Sequence, residues 1–237
     1  MSRTADVMMS DSAGGARPQA VLFDLDNTIY DREAAFGRWL LWFLDEVLKL
    51  EDTEERAALT AEITAMDAHG YGSKRAIFQR LHERYPAAPG TPSTSVEAFY
   101  EQFFTQMHVE PEARAMLATL SDFHIPYGIV TNGSRVQSRK IAVLGLGDGA
   151  ACVIVSGLVG CAKPDPEIFA LAARKMEMAP SEILFVGDNP RNDIWGARNA
   201  GMRTAWLRLG HPWPSDTCGP PPDITLDRIE DLLGVIL

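Results

Sequence analysis

Five short apolar runs separated by single helical stretches decide the fold class of this chain. They are AVLFDL from Ala20, PYGIVT from Pro126, CVIVS from Cys152, EILFVGD from Glu182 and RTAWL from Arg203. Runs this short, bounded by polar residues, are the length of buried strands and too short for buried helices. Helical spacing fills the intervals at 111–122, 135–145, 166–177 and 192–200. A strand followed by one helix and another strand returns the chain in the same direction, so the strands are parallel. The expected architecture is α/β: a Rossmann-like, doubly wound parallel sheet with helices on both faces. A last short strand and helix follow the Pro-rich loop HPWPSDTCGPPPD, which begins at His211.

The alternation fails between the first two strands. Residues 32–109 show helical spacing only, with helices expected at 32–50, 53–68, 73–85 and 96–107, the last capped by Ser95. One α/β core, 19–31 with 110–237, is therefore expected to carry an α-helical insertion at 32–109. Residues 1–18, rich in Ser, Ala, Gly and Asp, read as a disordered leader. The aromatic stripes of the insertion (Phe36, Trp39, Phe43, Phe78, Phe99, Phe103) are expected to form its own core. His69–Arg75, HGYGSKR, reads either as a plain interhelical turn or as a stretch facing a substrate.

Charge and cysteine usage narrow the function classes. The net charge of −10 argues against broad binding to nucleic acid or anionic membrane, which needs a basic face. Cys152, Cys161 and Cys218 form no CxxC pair, which fits a reducing compartment. The N-terminus lacks a signal-peptide apolar core, and WLLWFL (Trp39–Leu44) is far shorter than the roughly 20 residues of a membrane span. The expected location is the cytoplasm.

In a doubly wound sheet ligands bind beyond the carboxyl ends of the strands. The strand assignments bring Asp24 and Asp26 there, with Thr131 and Asn132, Asp188, and Asp193 just after it. Lys163 lies just before a helix that Asp165 can cap and Pro166 can open. Two carboxylates about 4 Å apart repel by roughly 4 kcal/mol at an effective dielectric of 20. Four acids with only Lys163 nearby leave a local charge near −3, which calls for a hard cation; Mg²⁺ takes carboxylate oxygen and leaves room for a phosphate ligand. An EF-hand also opens D-x-D, but it needs Gly where Ile29 stands and Glu where Ala35 stands.

In this order, DLDNT, VTNG, KPDPEIF and GDNPRND resemble the four motifs of the haloacid dehalogenase superfamily, most of whose members are phosphatases. The resemblance covers 20–31 and 110–207; the insertion matches the family's helical cap in position and helix content. It implies that Asp24 is a nucleophile forming an aspartyl-phosphate and that Asp26 is general acid, then base. Thr131 is expected to bind phosphate by its hydroxyl and Asn132 by its backbone N–H, while Lys163 holds Asp24 and the phosphate. The Asp24 side chain, the Asp26 carbonyl and Asp188 are expected on Mg²⁺, with Asp193 acting through water. The implied substrate is a small soluble phosphate monoester of nucleotide, sugar phosphate or phosphoglycolate type. Three alternatives stay open: a 2-haloacid dehalogenase, phosphoryl transfer to an acceptor other than water, and a catalytically silent binding or regulatory protein on the same fold. Oligomeric state is not legible.

Overall fold

A computed structural model describes residues 17–214 and 219–237. The expected leader falls almost wholly on residues outside this range, as does Cys218. The chain divides into two compact units: Met1–Asp31 with Val109–Leu237, and Arg32–His108.

The first unit is built on six strands: β1 (Ala20–Phe23), β2 (Tyr127–Thr131), β3 (Cys152–Val155), β4 (Ile183–Gly187), β5 (Arg203–Leu207) and β6 (Ile224–Leu226). All pair in parallel, in the order β3-β2-β1-β4-β5-β6. The chain winds outward from β1 to β3, returns beside β1 as β4, and winds outward again. That reversal leaves a crevice between β1 and β4, where loops from the two strands diverge. Every residue of β1, β2 and β4 is buried, as expected for parallel strands covered on both faces. Ala20, Leu22, Ile183 and Phe185 pack with Ile168, Phe169 and Ala172 of α8 (Pro166–Lys175) on one face. Val21, Phe23, Leu184 and Val186 point to the opposite face and are equally inaccessible. The fold class is the doubly wound α/β sheet read from the apolar runs.

Between these strands run α5 (Pro111–Asp122), α6 (Arg135–Val143) and the single-turn α7 (Ser156–Val159). The segment expected as a helix at 192–200 is instead a wide π-type turn, Pro190–Trp195, leading into the single-turn α9 (Gly196–Asn199). Asn189 starts it early by accepting hydrogen bonds from Arg191 N–H and Asn192 N–H.

The second unit consists of α1 (Arg32–Trp42), α2 (Thr53–Asp67), α3 (Lys74–Arg84) and α4 (Pro92–Thr105). Its core is aromatic: Trp39 meets Phe99 edge-on at 4.7 Å between centroids, and Phe99 stacks on Phe103 at 5.2 Å. Helix α1 ends eight residues before the expected residue 50, giving way to a π-type turn at Phe43–Val47 that keeps both Phe43 and Leu44 buried. Helix α4 starts earlier than Ser95. Thr91 and Thr94 cap each other's backbone N–H groups and Pro92 takes the first helical position, so the Thr-Pro signal outranks Ser95. His69–Arg75 spans the connection from α2 and the first two residues of α3. Its Lys74 is turned onto Asp67, which also receives both terminal nitrogens of Arg32. Among the described residues no helix is long and apolar enough to cross a membrane.

Candidate active site

The site gathers at the β1–β4 crevice because both strands end there on an acid. The Asp24 N–H donates to Val186 O at 2.9 Å, which sets the end of β1 level with the end of β4. Asp188 directly follows β4, and the turn after it folds Asp193 back. Asn189 N–H donates to Asp193 Oδ2 at 2.9 Å, and a Cβ at Gly187 would lie 2.4 Å from that oxygen. Only glycine leaves room for Asp193 to be wedged there, with its side chain 1% exposed.

Lys163 reaches the same point from the loop before α8. Asn132, just past β2, fixes that loop: its Nδ2 donates to Lys163 O at 2.8 Å and its Oδ1 accepts from Lys163 N–H at 2.9 Å. Lys163 Nζ then donates to Asp24 Oδ1 at 2.6 Å and to Asp193 Oδ1 at 2.7 Å. Asp165 caps α8 and Pro166 opens it, as read from the motif. One carboxylate oxygen from each of Asp24, Asp188 and Asp193 lies within 4.8 Å of the others, an arrangement able to hold a metal ion.

Three carboxylates, buried at Asp24 and Asp193 and half-buried at Asp188, carry with one ammonium a formal charge of −2. Burial is the largest influence on Asp24; with Asp193 and Asp26 it outweighs Lys163 and pushes the carboxyl up to about 7. Burial, then Asp193 and Asp24, push Asp188 up to about 8. Desolvation opposes charge on Lys163, but Asp193 and Asp24 more than reverse this and hold its ammonium above the usual range. Without a further cation, Asp24 and Asp188 retain protons near neutrality.

Asp26 does not share this crowding, which corrects the expectation of four acids around a single lysine. Its carboxylate accepts from Lys140 Nζ at 2.6 Å, Gln137 Nε2 at 2.7 Å and Tyr30 Oη at 2.5 Å. Burial would raise it, but Lys140 and these hydrogen bonds prevail and hold it below the ordinary carboxylate range. Gln137 Nε2 also donates to Thr131 Oγ1 at 2.6 Å. Lys140 and Gln137 went unread in the sequence. The one signal for them is that α6 places both at i, i+3 spacing on one face, where they are buried despite their polarity.

A family model described as haloacid dehalogenase-like hydrolase matches residues 18–201. A phosphoserine phosphatase of Thermus thermophilus is 34% identical over 180 residues, covering 75% of this chain and 70% of its own. A glyceraldehyde 3-phosphate phosphatase of Methanopyrus kandleri is 31% identical over 231 residues, covering 92% and 97%. Among solved structures, a 2-haloacid dehalogenase from Pseudomonas syringae pv. Tomato aligns with a TM-score of 0.59 and 26% identity, over 92% of this chain and 97% of that one. The chain belongs to the haloacid dehalogenase-like hydrolases, on their phosphatase side.

Proposed function

We propose that the chain hydrolyses a small soluble phosphate monoester with the help of Mg²⁺, through a phosphoryl group carried by Asp24. The observation that carries this reading is the division of the acids into two sets. Asp24, Asp188 and Asp193 crowd around Lys163, while Asp26 is held separately on Lys140. The first set suits an anionic substrate with a divalent cation; the second suits proton transfer.

The donor set fits Mg²⁺: three converging carboxylates, two of them buried, a residual charge of −2, and carboxyls raised to about 7 and 8 that a cation would discharge. Asp24, Asp188 and the Asp26 carbonyl would hold the ion, and Asp193, both of whose oxygens already accept hydrogen bonds, would support it indirectly. When bound, Mg²⁺ supplies positive charge that offsets repulsion between Asp24 and the phosphate. The remaining chemistry belongs to the side chains. Asp24 Oδ2 accepts no hydrogen bond among the described residues and is the attacking atom. It forms a bond to phosphorus as the ester P–O bond breaks, and Asp26 gives the departing alkoxide its proton. Asp26 is ionised at rest, so the charge of an incoming phosphate must raise its carboxyl until it takes a proton from solvent; that proton is the one passed to the alkoxide. Asp26 then takes a proton from water, whose oxygen attacks phosphorus and frees Asp24 and inorganic phosphate. Thr131 Oγ1 accepts from Gln137, so its own hydrogen points to a phosphate oxygen; the Asn132 N–H and Lys163 complete the cradle.

Carbon–halogen hydrolysis is the second reading, favoured by the dehalogenase structural match. Halide leaves without a proton and an uncharged carbon needs no cation, so Asp26 and Asp188 would stand idle. Curated relatives named for phosphoserine, glyceraldehyde 3-phosphate and N-acetylmuramic acid 6-phosphate share the phosphate monoester group, which supports that substrate class. Hydrolysis of p-nitrophenyl phosphate with Mg²⁺, stopped by EDTA, is the expected result. Chloride release from 2-chloropropionate in EDTA, with no phosphatase activity, would overturn it. A panel of phosphorylated metabolites then ranks the substrates.

Metal and proton compete for the same oxygens, and this gives a second expected result. The native acids hold their protons to about pH 7 and 8, whereas the unfolded ones lose them near 3.8. Over that interval the native state binds more protons, so the metal-free protein loses stability as pH rises from about 4 to about 8. Mg²⁺ displaces those protons, so its stabilisation grows with pH. Thermal unfolding should show a Tm gain of roughly 5–10 °C at about pH 8 with Mg²⁺ at about a hundred times Kd, and a much smaller gain at about pH 5.5. Equal gains at both pH values would place the ion elsewhere.

A further inference from the structure

We propose that Lys140 and Gln137 of α6 are positioning residues for proton transfer: with Tyr30 they fix the Asp26 carboxylate and tie it to Thr131. The proposal rests on the reading of Asp26 as the general acid and extends it to residues outside the four motifs.

The geometry is specific. An aspartate beyond a strand end has two rotatable side-chain bonds, and a misplaced proton donor loses most of its effect. Here three donors from two segments converge on one carboxylate at 2.5 to 2.7 Å. Tyr30 comes from the turn that follows β1, while Gln137 and Lys140 come from one face of a helix more than a hundred residues away. The amide of Gln137 has two hydrogens and commits both, one to Asp26 Oδ2 and one to Thr131 Oγ1. A single side chain thus relates the acid to the hydroxyl expected on the phosphate. Lys140 is only 6% exposed. A buried ammonium is expensive unless paired, and Asp26 is the partner it meets.

The backbone supports Gln137 in turn. Gly133 has φ of 145°, and a Cβ there would approach Gln137 Cγ to 2.7 Å. Ser156 Oγ accepts from Gly133 N–H at 2.9 Å, anchoring this turn to the end of β3. Ser134 caps α6 through Val136 N–H. The helix start is therefore held from the sheet, and Gln137 and Lys140 project from a fixed base.

An ion pair that merely glues α6 to the turn after β1 would have the same contacts, so the test must read proton transfer. A series of aryl phosphates from p-nitrophenyl to p-methoxyphenyl phosphate does this, because p-nitrophenolate leaves without a proton and p-methoxyphenolate leaves less readily. The ratio of kcat on the two substrates, measured on one sample, is insensitive to how much of that sample is folded. Asp26→Asn should raise this ratio most. Lys140→Met and Gln137→Leu should each raise it about tenfold, a part of the roughly 100- to 10,000-fold that positioned proton transfer contributes, with Lys140→Arg restoring much of it. An unchanged ratio in Lys140→Met and Gln137→Leu, with Asp26→Asn discriminating strongly, overturns the positioning role alone. A raised KM with an unchanged ratio makes Lys140 a phosphate ligand and also overturns it. No discrimination in Asp26→Asn removes the general-acid reading beneath it.

Discussion

Asparagine at position 24 should lower kcat by about 10⁴-fold or more while leaving the protein folded, because the nucleophile of a two-step transfer has no substitute. The substitution keeps shape: an asparagine oxygen still accepts from Lys163 Nζ, which retains its bond to Asp193. What is lost is the carboxylate oxygen that bonds to phosphorus, together with one of three acids that repel one another when ionised. Stability without metal should therefore hold or rise, most visibly above about pH 7, where Asp24 is otherwise forced to ionise in the interior. Steady-state hydrolysis of an aryl phosphate and thermal unfolding in EDTA read the two effects on the same preparation. Turnover above about a hundredth of the parent rate would show that Asp24 is not the group carrying phosphate.

Lys163→Met should show the opposite pairing of effects, with activity and stability falling together. Methionine fills the volume of the lysine stem but leaves Asp24, Asp188 and Asp193 with no positive neighbour in the cluster. Removing one member of a buried ion pair costs about 3–5 kcal/mol, and losing a charge that stabilises the transition state costs about 100- to 1,000-fold in kcat. The pH dependence follows from the directions already given. Without the ammonium the acids rise further, so the native state binds more protons than the unfolded chain over a wider range. The stability deficit should therefore be largest at about pH 8 and shrink toward about pH 5, and Mg²⁺ should restore part of it. A deficit that stays constant with pH would mean that Lys163 serves packing against Phe185, 5.4 Å from its ring centroid, more than it serves charge.

Much of this arrangement could be read from local patterns. The strand runs are short, apolar and closed by polar residues, so the sheet and the strand-end positions of Asp24, Thr131 and Asp188 were legible in a few residues each. Asp165 and Pro166 announce the start of α8 in the same local way. What escaped depends on partners remote in the chain. Lys140 sits in RVQSRKIAV, a stretch whose composition suits a solvated helix, and its meeting with Asp26 across 114 residues leaves no local trace. The charge count around Lys163 was off for that reason, since Asp26 has a lysine of its own. Helix ends were misjudged where two start signals competed, as at Thr91 and Ser95. The same happened where a π-type turn, which has no compositional mark, replaced regular helix at Phe43 and Pro190.

The wedge of Asp193 against Gly187 offers a way to sort unfamiliar sequences by competence. Any side chain at position 187, even a methyl group, would evict the acid that Lys163 grips, so a sequence sharing the four motifs but lacking that glycine must reach its lysine by another route or do without it. One residue that bears no functional group thereby becomes a marker for whether this pairing of lysine and acid can form. It can be read before any protein is made.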